Sequence, residues 1–283
     1  MVKTAKPKAI VIDVAGPVAK KAFMSNSEES KNFMKKNIVK YSTECLNQKD
    51  FRLAVDFAKY KKVPGKKQPP PIADQFQPPN VQLESIVQHF LWRLQNEGVS
   101  EPVALFHLYM MFWGYERGLL VTPVYEEVAA TLEKWCVKDK IKIHVLTGSE
   151  KLLNRVFSNT SVGNLLNYIE GRTNLMVDGG YRKNFTLLAN LLKQKEEDIL
   201  FITGLPEDAR LAKAAKINSI IIYREDYGPQ GVELLQNKDK PGVTEPKAEA
   251  AAPSLSADMT AESKVTSQDI RDFQVVTRLD DIH

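Results

Sequence analysis

The sequence predicts an α/β protein with a doubly wound parallel sheet, a Rossmann-like core into which a helical domain is inserted. Short apolar runs rich in β-branched residues recur along the second half of the chain, and segments with helical periodicity separate them. Strands that alternate with helices form parallel, right-handed βαβ units. A similar apolar run near the amino terminus is expected to join that sheet.

That first run, residues 8–14, reads KAIVIDV, and its shortness and composition favour a buried strand. Residues 27–60 and 81–120 then have the three- and four-residue spacing of helices. Between them, residues 61–80 hold six of the fifteen prolines, which predicts an irregular connection.

The second half of the chain predicts the alternating elements one by one. Thr122 and Pro123 suit the cap and first turn of a helix, and each later strand is an apolar run of four to six residues. The order is a helix from 122, strand 141–146, helix 149–157, a short apolar piece at 175–177, helix 184–192, strand 199–203, helix 207–215 and strand 219–223.

The expected domains follow from this order. Residues 1–25 and 119–235 form the core, and residues 26–118 form a helical cap over the carboxyl ends of the strands, where such sheets bind ligands. Residues 236–283 hold six Lys and Arg, nine Asp and Glu and one aromatic residue. With so little apolar surface, this tail is expected to be mostly disordered and dispensable for folding. Within it, residues 270–279 carry a short apolar set that could dock on the core or on a partner.

Composition excludes several classes of protein. No apolar run approaches the roughly 20 residues that span a bilayer, so we expect no membrane contact. Two cysteines, Cys45 and Cys136, are too few for a disulfide scaffold, which favours the cytoplasm and leaves the nucleus open. The net charge is +4, yet no basic stretch is interleaved with aromatic residues, so no nucleic-acid partner is expected.

Three predicted strand ends carry candidate chemistry. Asp13 ends the first strand, and Gly16 allows a sharp turn after it. A carboxylate there can attack phosphorus if a divalent cation screens the repulsion between the two anions. Thr147, Gly148 and Ser149 pass from a strand into a helix, and their hydroxyl and N–H groups suit a phosphate. At the third strand end, where an acid would complete a magnesium site with Asp13, the residue is glycine.

Taken in order, these features resemble the haloacid-dehalogenase superfamily, which has this Rossmann-like core and an inserted cap. The segments LWRL, TLEKW, IKIHVLTGS and DILFIT are more specifically similar to the enolase-phosphatase (acireductone synthase) family, over about residues 8–228. The resemblance implies a magnesium-dependent phosphatase of methionine salvage with an aspartate nucleophile. Its substrate would be 2,3-diketo-5-methylthiopentyl-1-phosphate, converted to acireductone.

The chain departs from that family's motifs at several positions. The nucleophile position is Asp13, but the acid two residues later is Ala15, which can offer magnesium only its backbone carbonyl. The phosphate-binding lysine falls on Gly179, and the magnesium-binding aspartate falls on Gly204. The family's paired serines fall on Leu146 and Thr147, so one hydroxyl is kept.

Neighbouring residues offer replacements for some of these losses. Arg182 and Lys183 lie near the lysine position, and could serve only if the loop follows a different path. Glu207 and Asp208 follow Gly204 within one helical turn. The sequence favours solvated acids of a first turn for both, with Asp208 as the alternative metal ligand.

Three functional hypotheses follow. The first is a protein that has lost most phosphatase activity and binds a small phosphorylated metabolite or a protein partner. The second is the active magnesium-dependent enolase-phosphatase. The third rests on the Asp-x-Ala-Gly text, which also resembles the phosphonatase branch of the superfamily. The first needs no cofactor, whereas the second and third need magnesium.

Overall fold

The computed structural model of the protein describes residues 6–20, 27–63, 67–98, 100–147, 150–177, 182–224, 226 and 267–282. The chain divides into two compact units. The core unit takes the described residues up to 20 and from 121 onward, and the helical unit takes those from 27 to 120.

The described elements follow one another in the order that the sequence predicts, with additions. In chain order they are β1 (Ala9–Ile12), α1 (Glu28–Cys45), α2 (Lys49–Tyr60), α3 (Pro79–Asn96), α4 (Glu101–Glu116), α5 (Val128–Glu133), β2 (Lys142–Leu146), α6 (Glu150–Ser158), β3 (Gly171–Thr173), β4 (Met176–Val177), β5 (Arg182–Lys183), α7 (Leu188–Leu192), β6 (Ile199–Thr203), α8 (Pro206–Ala214), β7 (Asn218–Ile222), α9 (Ser267–Asp272) and β8 (Gln274–Val276).

The core unit is built on a six-stranded parallel sheet in the order β3-β2-β1-β6-β7-β8, while β4 and β5 form a separate antiparallel pair. β1 lies between β2 and β6, with Ile10 paired to Ile143 on one side and to Leu200 on the other. This confirms the predicted α/β class with a parallel sheet and the place of the first strand within it.

The prediction that a helix begins at Thr122 is wrong. Residues 122 and 124 form isolated bridges to Thr160 and Ala19, and the helix begins only at Val128. The hydroxyl of Thr122 is buried and donates to the carbonyl of Val156, so it is not available as a cap. The residue that suits a helix cap therefore bonds here to a distant part of the chain and does not start a helix.

The helical unit consists of α1 to α4 around an aromatic core. The side chain of Ser27 caps α1 by accepting from the amide of Ser30, and a proline occupies the first turn of α3 and of α4. The rings of Phe90 and Phe106 stack with centroids 3.8 Å apart, and Tyr41 meets Phe106 edge-on at 5.3 Å. These buried rings supply much of the apolar surface that holds the four helices together.

One buried cation ties α2 to α3. Arg93 is 2% exposed and donates to the carbonyl oxygens of Ala58 and Lys61, at the end of α2. It also forms a 2.9 Å ion pair with Glu97 and a 2.8 Å hydrogen bond to Nε2 of His89. The carbonyls that a helix leaves without partners at its carboxyl end are thus satisfied by a neighbouring helix.

The terminal segment, residues 267–282, differs most from expectation. It forms α9 and β8, and β8 extends the sheet in parallel register with Val275 opposite Ile221. Leu279 is fully buried and Ile282 nearly so. Of the two alternatives that the sequence leaves open for the apolar set at 270–279, the structure shows docking on the core, because Val275 and Val276 pair with β7. The expectation of a mostly disordered tail does not extend to this segment. The predicted disorder of residues 238–265 lies outside the described residues.

In the part of the chain that the structure describes, no helix is long and apolar enough to cross a bilayer. Both cysteines are free thiols, and burial raises the pKa of the Cys45 thiol to about 11, so it stays protonated at neutral pH.

We predict that Leu279→Ala lowers the free energy of unfolding of the core unit by about 2–5 kcal/mol, because it leaves a cavity under the sheet edge. Asp280→Ala is the matched control, since its partner Arg278 is exposed and such pairs contribute little. Thermal unfolding followed by circular dichroism measures both. Equal melting temperatures for the two variants would mean that the terminal segment contributes nothing to the core.

We also predict that acid destabilises the helical unit through His107. Burial lowers the pKa of this histidine to about 4, and Ser30 Oγ lies 3.0 Å from its Nε2. Because the unfolded chain takes up the proton near pH 6.5, stability is lost as the pH falls from there, by about 3 kcal/mol at pH 4.

Urea unfolding at pH 7 and pH 4 of the wild type and His107→Gln tests this. The variant should lose less stability over that interval. His144→Gln is the control, because partial burial lowers the pKa of His144 without enclosing it fully. An unchanged acid effect in His107→Gln would contradict the assignment.

Candidate functional site

The carboxylate of Asp13 stands at the carboxyl end of β1, in the middle of the sheet. Its amide donates to the carbonyl of Ile202 at 3.0 Å, which extends the β1–β6 pairing by one residue. Thr203, the last residue of β6, is fully buried and donates its hydroxyl to Asp13 Oδ2 at 2.5 Å. The same Thr203 oxygen accepts from the amide of Leu205 at 2.9 Å. Neighbouring strands thus position the predicted nucleophile.

The turn after Asp13 is tight and depends on glycine. Gly16 has φ +89°, and a Cβ placed on it would lie 3.4 Å from the Cα of Gly204. The amide of Gly16 donates to the carbonyl of Ala19, and the amide of Ala19 donates back to Val14 at 2.7 Å. A side chain at position 16 would be strained in this conformation, which confirms the sharp turn predicted at Gly16.

Gly204 lies beside this turn, as the magnesium-site hypothesis requires of that position. A Cβ built on Gly204 would stand 3.6 Å from the carbonyl oxygen of Ala15, at ordinary van der Waals distance. The two positions that would need acids are therefore neighbours in space, and neither carries one.

The described donors at this edge are few for a magnesium ion. Magnesium takes six oxygen ligands in a tight octahedron and is usually held by one or two carboxylates. Asp13 and the Ala15 carbonyl are the predicted donors, and one oxygen of Asp13 already accepts from Thr203. Across the described residues, no three His, Cys, Asp or Glu side chains gather into a group that could hold a metal ion.

The acids after Gly204 have different surroundings. Glu207 is exposed, whereas Asp208 is 7% exposed in the first turn of α8. The prediction that Asp208 is a solvated acid is wrong, because α8 turns this face toward the interior. Its role as a metal ligand remains a prediction.

The predicted phosphate-binding turn is described only in part. Thr147 follows β2, and its amide donates to the carbonyl of Thr173 at 3.0 Å, so that N–H is already used within the sheet. Gly148 and Ser149 lie outside the described residues, as does Gly179. Arg182 and Lys183 form the strand β5. Binding of phosphate by Thr147, Gly148 and Ser149 stays a prediction.

Two contributors were missed by sequence reasoning. Thr203 was recognised only as the end of a strand, although a hydroxyl at a strand end beside Asp13 is a signal that could have been used. Arg224, just after β7, donates to the carbonyls of Gly16 and Pro17. No local sequence pattern predicts this contact, because more than 200 residues separate the partners.

Several proteins named enolase-phosphatase E1 are similar in sequence to this chain. Two proteins named enolase-phosphatase E1, from Drosophila yakuba and Persephonella marina, are each 24% identical to this chain over 227 and 231 residues. The alignments cover 77% and 78% of this chain and 83% and 91% of the relatives. A third, from Drosophila ananassae, is 32% identical over 120 residues, which is 41% of this chain and 46% of its own.

Among solved structures, the UTR4 protein of Saccharomyces cerevisiae has a TM-score of 0.55 and 15% identity, covering 77% of this chain and 92% of its own. This similarity shows that the two proteins share a fold. No family model matches the chain.

We predict that Gly204→Asp together with Ala15→Glu introduces measurable magnesium binding, because both carboxylates would stand beside Asp13. Calorimetry with MgCl₂ measures it directly, without any need for turnover. The control is Gly204→Asn with Ala15→Gln, which has nearly the same shape and no added charge. A folded acidic variant that binds no more magnesium than the control would show that position 204 does not face the site.

Proposed function

We propose that this chain, which is similar to proteins named enolase-phosphatase E1, has kept the fold and lost most of the phosphatase reaction. It acts instead by binding a small anionic metabolite or a protein partner. One observation carries this proposal above all: Gly204 lies next to the Ala15 carbonyl, where the resemblance implies a magnesium-binding acid.

The loss of the cation matters most for the first chemical step. A carboxylate attacking a phosphate ester brings two anions together, and a bound cation normally offsets that repulsion. Asp13 has a hydroxyl donor from Thr203 instead. That hydrogen bond stabilises the carboxylate in its resting state, and it supplies no positive charge to the attacked phosphate.

The proton transfers are weakened as well. Ala15 stands where the family has an acid, and a methyl group can neither protonate a leaving oxygen nor activate water. Loss of a positioned general acid typically costs a factor of about 10² to 10⁴ in rate. This loss adds to that of the cation, and both lower the rate.

We predict that the purified protein hydrolyses p-nitrophenyl phosphate in magnesium no faster than its Asp13→Asn variant. The variant keeps the size and hydrogen-bonding capacity of the side chain and removes the nucleophile. Release of p-nitrophenolate, followed by absorbance, measures both rates. The same two proteins are then compared on 2,3-diketo-5-methylthiopentyl-1-phosphate, with the released inorganic phosphate as the readout. This extends the test to the family's substrate.

A magnesium-dependent rate that disappears in Asp13→Asn would overturn the proposal in favour of the active enolase-phosphatase. Phosphate released from 2-phosphonoacetaldehyde, with the same dependence on Asp13, would favour the phosphonatase hypothesis. If the wild type and Asp13→Asn release product from each of the three compounds at the same background rate, the result supports a binding protein.

A further inference from the structure

Arg224 connects two parts of the core unit that are far apart in sequence. Its side chain is buried, and its Nε and Nη2 donate to the carbonyls of Gly16 and Pro17 at 3.1 and 3.0 Å. Its Nη1 donates to the carbonyl of Thr277 at 2.7 Å. One planar guanidinium therefore bonds both the turn that follows Asp13 and the residue that follows β8.

The charge of Arg224 is balanced by residues just before α5. Glu127, also buried, forms a 2.6 Å ion pair with Arg224, and the Arg224 guanidinium lies 3.8 Å from the ring centroid of Tyr125. Glu127 Oε1 also accepts from the amide of Leu279 at 3.3 Å. The terminal segment thus contributes a carbonyl to the cation and an amide to its counter-ion.

The terminal segment has further anchors of its own on α8. Asp269 is 1% exposed and receives two hydrogen bonds from Arg210, at 3.0 and 2.7 Å. Lys213 stands 5.0 Å from the ring centroid of Phe273. These contacts are made on α8. Among the side chains described above, Arg224 is the one that bonds directly to both the terminal segment and the Asp13 turn.

We propose that Arg224 is a positioning residue which couples docking of the terminal segment to the conformation of the Asp13 turn. A buried ion pair is stable only while its remaining donors and acceptors are satisfied. When the segment leaves, Thr277 and Leu279 withdraw their backbone groups and water reaches the pair. The Arg224 guanidinium then no longer holds the Gly16 and Pro17 carbonyls in place, and the turn loosens. This coupling holds whether or not the chain hydrolyses a phosphate ester.

Native-state hydrogen exchange on the full chain tests the coupling residue by residue. The amide of Ala19, bonded to Val14, reports on the turn, and the amide of Tyr223, bonded to Val276, reports on docking. The amide of Thr147, bonded to Thr173 at the opposite side of the sheet, is the internal control. Leu279→Ala weakens docking without touching the turn.

We expect Leu279→Ala to speed exchange at both Tyr223 and Ala19 by about tenfold or more beyond its effect on Thr147, which measures the general destabilisation of the core unit. In an Arg224→Gln background the same substitution should still speed exchange at Tyr223 but no longer at Ala19, because the connection is already gone. Non-additivity of this kind identifies coupling, which a merely structural role for Arg224 would not produce.

Two outcomes would overturn the proposal. One is faster exchange at Tyr223 with Ala19 unaffected in Leu279→Ala. The other is an equal effect on Ala19 with and without the arginine. If Arg224→Gln does not fold, Arg224→Lys replaces it, since lysine keeps the charge but cannot reach three carbonyls in fixed geometry. If neither variant folds, the amide exchange rates of Ala19 and Tyr223 in Leu279→Ala decide the question alone.

Discussion

The core unit depends on the burial of β1 on both faces and its pairing on both edges. Its four residues are each at most 1% exposed, and they lie in parallel register between β2 and β6. A strand in this position must be apolar throughout, because no water reaches its side chains. Its next residue, Asp13, is therefore fixed at the centre of the carboxyl edge, where polar groups from neighbouring strands converge.

Much of this could be predicted because the signals are local. An apolar run between turns gives a buried strand, and Ile199–Thr203 was predicted at its observed limits. The predicted helices 149–157 and 207–215 match α6 and α8 to within one residue at each end, whereas the helix predicted from 122 begins six residues later. The alternation of strands and helices predicted the parallel sheet. A strand that ends in a carboxylate predicted where the candidate site lies.

The remainder could not be predicted because it rests on long-range contacts. β3 reads Gly-Arg-Thr and has no apolar run, yet it pairs along β2 because the chain returns there. β8 has three residues near the end of a mostly polar tail, and it pairs with β7 and accepts a hydrogen bond from Arg224 at the residue after it. Gly204 was expected opposite Asp13, whereas the hydrogen bond from Thr203 to Asp13 emerges only in the fold.

The fold and the chemistry of this site rest on different residues, which is why one can persist without the other. The turn after β1 is held by Gly16, by backbone hydrogen bonds and by Arg224, and none of these needs a metal. Gly204 fits the same turn without an acid. Under the proposed loss of the cation, the negative charge of Asp13 repels a phosphate. A ligand at this edge would therefore be favoured if it offered hydrogen-bond donors to Asp13. Its own anionic group would lie near the end of β2.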